Sequence, residues 1–258
     1  MRVPRRPLMV PSADGTRLAV YPAGHGPGLV MVGGALADHT ALSPLLPLLE
    51  QRFTVHVYDR RGRGASGDAP EYAVERELED LAAVVAYAGP EATVYGHSSG
   101  AILALEAAAR RLAISQLIVY EPPYVVNGGR PRPPADLPQR LATLVRSGDD
   151  DGAVRVFLRE GLRLPEAQIE AMDRRAFLPM ARSTVYDAYV AGQCVLPADR
   201  FAAIVTPTTV VCGGGSAPWL RAGAQALAAT LRDARFVTLG GRQHAPDPPM
   251  LARAIIDA

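Results

Sequence analysis

The sequence predicts an α/β protein, a doubly wound and mostly parallel sheet that carries one helical insertion. Three observations point there. Short apolar runs bounded by Gly, Pro or Asp alternate with helical patterns through most of the chain. One long stretch, 122–199, breaks that alternation and shows no strand pattern. A Gly-x-Ser-x-Gly pentapeptide, Gly96 to Gly100, falls where a strand gives way to a helix.

Runs rich in Val, Leu and Tyr at 16–21, 28–33 and 53–58 read as the first strands. Between the second and third, 42–52 groups Leu45, Leu46, Leu48 and Leu49 on one side with Pro44 in the first turn, which predicts a helix. A Glu- and Ala-rich helix follows at 71–88, then a strand at 93–95, a helix at 99–112 and a strand at 116–120. The alternation resumes with strands at 208–212 and 235–239 around a helix at 218–231, and a last helix at 249–257. Such an order implies right-handed crossovers and a sheet wound from both sides.

The stretch 122–199 opens on a Pro-, Gly- and Arg-rich segment and continues with helical patterns at 137–145, 152–163 and 165–177. A helical insertion between two strands is expected to form a cap over the C-terminal edge of the sheet, where open α/β sheets bind ligands. The expected division is a core from 1–121 and 200–258 with a cap from 122–199.

Bulk properties fit one large domain. The chain has 258 residues, of which 48% are apolar and 21% charged, enough to bury a substantial core. Basic and acidic residues number 27 and 26, a net charge of +1, and every basic residue is Arg. That balance gives no field that would favour nucleic acid or an anionic membrane. Residues 1–11 lack the apolar run of a signal peptide, so a cytoplasmic location without a membrane span is expected. Cys194 and Cys212 stand far apart with no metal or redox spacing, and are expected as buried thiols with no metal. No nucleotide, flavin or metal motif is present, so no cofactor is expected, and oligomeric state is not readable.

The chemistry is concentrated at Gly96-His97-Ser98-Ser99-Gly100. Its glycines permit a crowded strand-to-helix turn that lifts the Ser98 hydroxyl clear of the sheet and points the Ser99 amide inward. A phosphate-binding glycine loop is the competing reading, and the absence of any Lys argues against it. A serine hydroxyl is a weak nucleophile and needs a base.

With these motifs the chain resembles the α/β-hydrolase superfamily over nearly its whole length outside the cap. The segment from Val30 to Ala35 is similar to the family's strand ending in His-Gly-x, with Gly33 in the usual His position. The resemblance implies that the amides of Ala35 and Ser99 form the oxyanion hole, with Gly34 a one-residue alternative to Ala35. Tyr58 to Ser66 resembles the D-x-R-G-x-G-x-S loop of cap-bearing members, where Asp59 and the arginines are expected to brace neighbouring backbone. His244, after the last strand, stands where the family keeps its base.

The acid departs from the family pattern. Most relatives carry an Asp after the strand at 208–212, but here the chain runs Gly213-Gly214-Gly215-Ser216-Ala217. Glu121, at the end of the preceding strand, is the expected replacement, and the order Ser98, Glu121, His244 keeps the family's order. Its competing reading is a structural carboxylate at the base of the cap. Asp247 is expected to begin the last helix, and Asp199 is a weaker option.

Among pocket candidates, His39 lies just beyond the oxyanion loop, and the cap contributes Tyr124, Phe157 and Tyr186. Aromatic residues at helical spacing serve core packing more often than pockets. Ser at position 98 argues against chemistry that needs a carboxylate nucleophile. The sequence therefore predicts a serine hydrolase cleaving an ester, lactone or thioester of a moderately large, partly apolar small molecule through an acyl-enzyme. Two alternatives stay open: carbon–carbon hydrolysis or cyclisation in secondary metabolism on the same scaffold, and a non-hydrolytic small-molecule receptor.

Overall fold

The computed structural model describes residues 6–241, 244 and 247–258. Arg242, Gln243, Ala245 and Pro246, and the first five residues read above for a leader, lie outside the described residues.

Eight strands form one sheet: β1 (Leu8–Pro11), β2 (Arg17–Gly24), β3 (Gly28–Val32), β4 (Thr54–Tyr58), β5 (Thr93–His97), β6 (Gln116–Tyr120), β7 (Thr208–Gly213) and β8 (Ala234–Leu239). Their spatial order is β1-β2-β4-β3-β5-β6-β7-β8. The β1/β2 and β2/β4 pairs are antiparallel and the others parallel. The winding reverses at β3, whose neighbours are β4 on one side and β5 on the other. That reversal opens a crevice beyond the carboxyl ends of β3 and β5, the place where a doubly wound sheet takes its ligand.

Side chains of β3 alternate between two cores. Val30 and Val32 pack with Val94, Val119 and Leu103 on one face, while Leu29 and Met31 pack with Tyr95, Ile118 and Leu251 on the other. Fully buried parallel strands read as continuous apolar runs, which is why these were visible in the sequence. The main helices against the sheet are α2 (Val74–Ala88), α3 (Ser99–Ala109), α9 (Pro218–Thr230) and α10 (Pro248–Ile256). Asp247 caps α10, accepting from the Met250 amide.

The helix expected over 42–52 shrinks to α1 (Leu46–Leu49), preceded by 3-10 turns at His39–Ala41 and Ser43–Leu45. Pro44 and Pro47 each lack the N–H a continuous ladder needs. β1 was not anticipated: four residues at a sheet edge give too short a period to stand out.

Between β6 and β7 the chain is helical, with α4 (Leu137–Arg146), α5 (Asp150–Val156), α6 (Glu166–Ala171), α7 (Ser183–Ala191) and α8 (Ala198–Phe201). The single helix expected over 152–163 divides into α5 and a π-helical turn, Phe157–Gly161. The one expected over 165–177 stops at α6, where Met172 turns extended, and resumes as a 3-10 turn, Arg174–Met180. α7 is buried on nearly all sides, so it lacks the amphipathic stripe that reveals a surface helix. These helices build a third core, and Leu36 from the loop after β3 packs into it. The insertion is thus a cap joined to the crevice by apolar contact.

Candidate active site

Ser98 occupies the turn between β5 and α3 with φ of 54° and ψ of −118°, a conformation that L residues rarely hold without tertiary support. The support is steric. A Cβ on Gly96 would stand 2.6 Å from the Gly100 carbonyl oxygen, and one on Gly100 would stand 2.4 Å from that of Val32. Both glycines therefore let the strand, turn and helix close on β3. Ser98 itself is 8% exposed.

His244 Nε2 lies 3.1 Å from Ser98 Oγ, and its Nδ1 lies 2.7 Å from Glu121 Oε2. Glu121 sits at the end of β6 with φ of 47° and no exposed surface. Its other oxygen, Oε1, accepts from the Gly213 amide at 2.8 Å, the Cys212 thiol at 3.3 Å and the Ser216 hydroxyl. Burial would raise this carboxyl, but the bonds from His244, Ser216 and Gly213 hold it below its ordinary value. The same burial, with Glu121 beside it, pushes the Cys212 thiol up to about 12.

His97 lies beside this array, its ring centroid 4.8 Å from that of His244. Burial and the neighbouring His244 push His97 down to about 3. Its Nε2 is 3.1 Å from the His244 carbonyl oxygen, so neutral His97 donates that bond and steadies the backbone that presents His244.

The loop after β4 holds the loop after β3. Arg60 forms a fork on Glu77 at 2.6 and 2.7 Å, and its Nη1 donates to Asp187 at 3.0 Å, Ser99 Oγ at 3.1 Å and the Gly33 carbonyl at 3.3 Å. Arg63 donates to Asp187 at 2.9 Å and to the Gly34 carbonyl at 2.8 Å. Ser99 Oγ donates to the same Asp187 oxygen at 2.9 Å. Asp59 braces a further turn, accepting from Tyr21 Oη, the His39 amide and the Ala65 amide. A trans peptide is planar, so its N–H points opposite to its C=O. Arg63, by fixing the Gly34 carbonyl, therefore directs the Ala35 N–H away from the arginines.

These residues open on a cavity of about 760 Å³. Ser98, Ser99, Gly34, Ala35 and His244 line it, and so does Phe157. The other three pocket candidates do not. His39 stacks on Tyr21 with centroids 3.7 Å apart and bonds Asp59. Tyr124 packs edge-on against Phe201 in the core. Tyr186 stacks on Tyr72 at 3.9 Å and donates to Asp68 at 2.8 Å. Each ring is drawn from the cavity by a stacking or packing partner that the sequence does not reveal.

The cavity also has walls that sequence reasoning missed: Trp219, Arg130, Leu162 and Asp187. The lone Trp, just after the β7 turn at the start of α9, was the available signal. Among the described residues no group of three or more His, Cys, Asp or Glu is placed to hold a metal ion, and no helix is long and apolar enough to cross a membrane.

Residues 25–255 match the model of the Alpha/beta hydrolase family. The chain belongs to that family. An alpha/beta hydrolase of Sphaerobacter thermophilus has a similar structure, with TM-score 0.91 and 45% identity over 97% of this chain and 99% of its own. Among curated relatives, N-formylmaleamate deformylase of Pseudomonas putida is 33% identical over 136 residues, 49% of this chain and 50% of its own length. The chain thus matches about half the length of that relative. Pimeloyl-[acyl-carrier protein] methyl ester esterase of Xanthomonas campestris is 27% identical across 86% of this chain and 90% of its own. The protein is an α/β-hydrolase-fold enzyme.

Proposed function

We propose that this enzyme hydrolyses an ester, lactone or thioester of a small, partly apolar molecule through an acyl-enzyme on Ser98. The observation that carries the reading is the continuous Glu121–His244–Ser98 array, with contacts of 2.7 and 3.1 Å, at the wall of a largely apolar cavity. Such a cavity excludes bulk water while a few polar groups orient the substrate.

His244 Nε2 accepts the Ser98 proton as Oγ attacks the carbonyl carbon. Glu121 holds the Nδ1–H tautomer and stabilises the imidazolium that forms. Negative charge on the carbonyl oxygen is met by the amides of Ser99 and Ala35, donors worth roughly 10²–10³ in rate each. His244 then returns the proton to the leaving oxygen or sulfur, and the acyl group stays on Ser98. A water molecule, deprotonated by His244, attacks the acyl carbonyl; the bond to Ser98 Oγ breaks, His244 returns the proton to that oxygen, and the acid leaves. The names of the relatives in Pseudomonas putida and Xanthomonas campestris, a deformylase and an esterase, support acyl chemistry over other uses of the scaffold.

Intact mass after incubation with a small fluorophosphonate tests the reading. The expected result is one adduct on the wild type and none on Ser98→Ala. A folded wild type that takes no adduct sinks it.

A further inference from the structure

Among the described residues, two of the cations lining the cavity, Arg130 and Arg163, have no carboxylate partner. Asp187 and Glu77 together offset Arg60 and Arg63 in one buried cluster. Arg163 lines the cavity but is exposed, and its Nη2 is spent on the Arg132 carbonyl. Arg130 differs. Its guanidinium carbon stands 3.7 Å above the Trp219 ring centroid, its Nη1 donates to the Leu162 carbonyl at 3.0 Å, and its Nε is sealed without an acceptor. Among the described residues no carboxylate lies within ion-pair distance of it. The Cys194 thiol, itself buried, is its other polar neighbour.

The arrangement is built. Gly129 makes room for it, since a Cβ there would stand 3.0 Å from Trp219 Cβ and 3.3 Å from the Val126 carbonyl oxygen. Indole stacking and one carbonyl fix the plane of the guanidinium while leaving its charge uncompensated. A partly desolvated cation without a counter-ion is costly, and burial pulls the Arg130 guanidinium below its ordinary value. An incoming anion recovers that cost, so the site gains most from a ligand that brings one.

We propose that Arg130, held on Trp219, is the specificity residue of this cavity and selects substrates carrying one carboxylate besides the acyl bond that is cleaved. The inference rests on the hydrolase reading above for what happens to the bound ester. Arg163, the neighbouring guanidinium, is exposed and hydrated, so the partly desolvated Arg130 is the cation that gains most from a single negative charge. The remaining walls, among them Leu42, Leu137, Phe157 and Leu164, suit an apolar spacer between the two ends.

The test measures binding rather than turnover. Monomethyl and dimethyl esters of succinate, glutarate and adipate are titrated by NMR into Ser98→Ala, which leaves them uncleaved. At one spacer length or more, the monomethyl ester is expected to bind at least about tenfold more tightly, as a charge-assisted contact does. Adding Arg130→Gln is expected to bring the ratio near one. Arg130→Met, which keeps an apolar stem on Trp219, should do the same, and dimethyl ester binding reports that the cavity is intact. A ratio near one in Ser98→Ala at every length, or a ratio unchanged by both Arg130 substitutions, overturns the proposal. Absence of fluorophosphonate labelling removes the hydrolase reading and leaves the binding ratio standing. Labelling with no carboxylate preference removes this inference alone.

Discussion

Ser216 donates its hydroxyl hydrogen to Glu121 Oε1, the oxygen of that carboxylate turned away from His244. The residue standing where the family resemblance places an acid thus bonds a carboxylate supplied from the neighbouring strand. Glu121→Gln removes the anion that stabilises charged His244 and is expected to lower kcat/KM by about 10²–10⁴. Ser216→Ala leaves the Gly213 amide on the same oxygen and should cost no more than about tenfold, near the low end for one bond to a charged group. Adding Ser216→Asp to Glu121→Ala should recover part of the loss, because the new carboxylate starts one hydrogen bond from the place it must fill. Fluorophosphonate labelling rates on the four variants check this, and equal rates for Glu121→Gln and Ser216→Ala would refute it.

How much of this was legible in the sequence depends on the range of the interaction. The Gly96-to-Gly100 turn announced itself because its constraint is local: two glycines flanking a serine between an apolar run and a helix. Glu121 was readable because topology alone brings the ends of β6 and β7 side by side. Asp187 was not, since its partners Arg60 and Arg63 lie 127 and 124 residues away in sequence and its helix has no amphipathic period. His39, Tyr124 and Tyr186 were misplaced for a related reason. A ring's sequence neighbourhood does not say whether Tyr21, Phe201 or Tyr72 will be stacked against it.

Arg63 sets the orientation of the Ala35 amide through the Gly34 carbonyl, and its removal should act on the transition state more than on binding. Arg63→Lys keeps a charge beside Asp187 but loses the fork that reaches Gly34 and Asp187 together. The expected result is a fall of about 10²-fold in kcat with KM within about threefold, the size of one misaimed oxyanion donor. Steady-state kinetics on any hydrolysed ester decide it. A rise in KM with kcat unchanged would assign Arg63 to ground-state binding instead.

The buried cluster also predicts how the fold responds to acid. Burial would raise Glu77 and Asp187, but Arg60 holds Glu77, and Arg63 with Arg60 holds Asp187, below their ordinary values of 4.5 and 3.8. The unfolded chain therefore binds protons at a higher pH than the native one. The stability these groups contribute is present above that ordinary range and is lost as pH falls below it. Asp187→Asn should lower stability at pH 7 by about 3–5 kcal/mol, since it leaves Arg63 and Arg60 short of a counter-charge. It should also flatten the decline between about pH 4.5 and the acid limit, because one of the depressed carboxyls is gone. Urea unfolding at a series of pH values checks both, and parallel curves for variant and wild type would exclude the assignment.

Gly100 and Gly89 separate the two reasons a glycine is needed. Gly89 has φ of 111° and ψ of 170°, with no atom within 4 Å of an added Cβ, so Gly89→Ala meets only backbone strain, about 1–3 kcal/mol in a region essentially reserved to glycine. Gly100 lies in α3 without a positive φ, but its Cβ would stand 2.4 Å from the Val32 carbonyl oxygen and 2.6 Å from that of Gly33. Backbone on both sides leaves no side chain to yield, so α3 must move away from β3. Gly100→Ala is expected to cost more than about 3 kcal/mol, a lowering of Tm by roughly 6 °C or more for a domain of this size. Because α3 carries Ser98 and the Ser99 amide, the same shift should slow fluorophosphonate labelling even in the fraction that stays folded. Gly89→Ala, at the far end of α2, should label at the wild-type rate. Calorimetry and labelling on the two variants together settle the point: equal effects on both readouts would mean that the elbow tolerates movement of α3 and that close packing against β3 does not position Ser98.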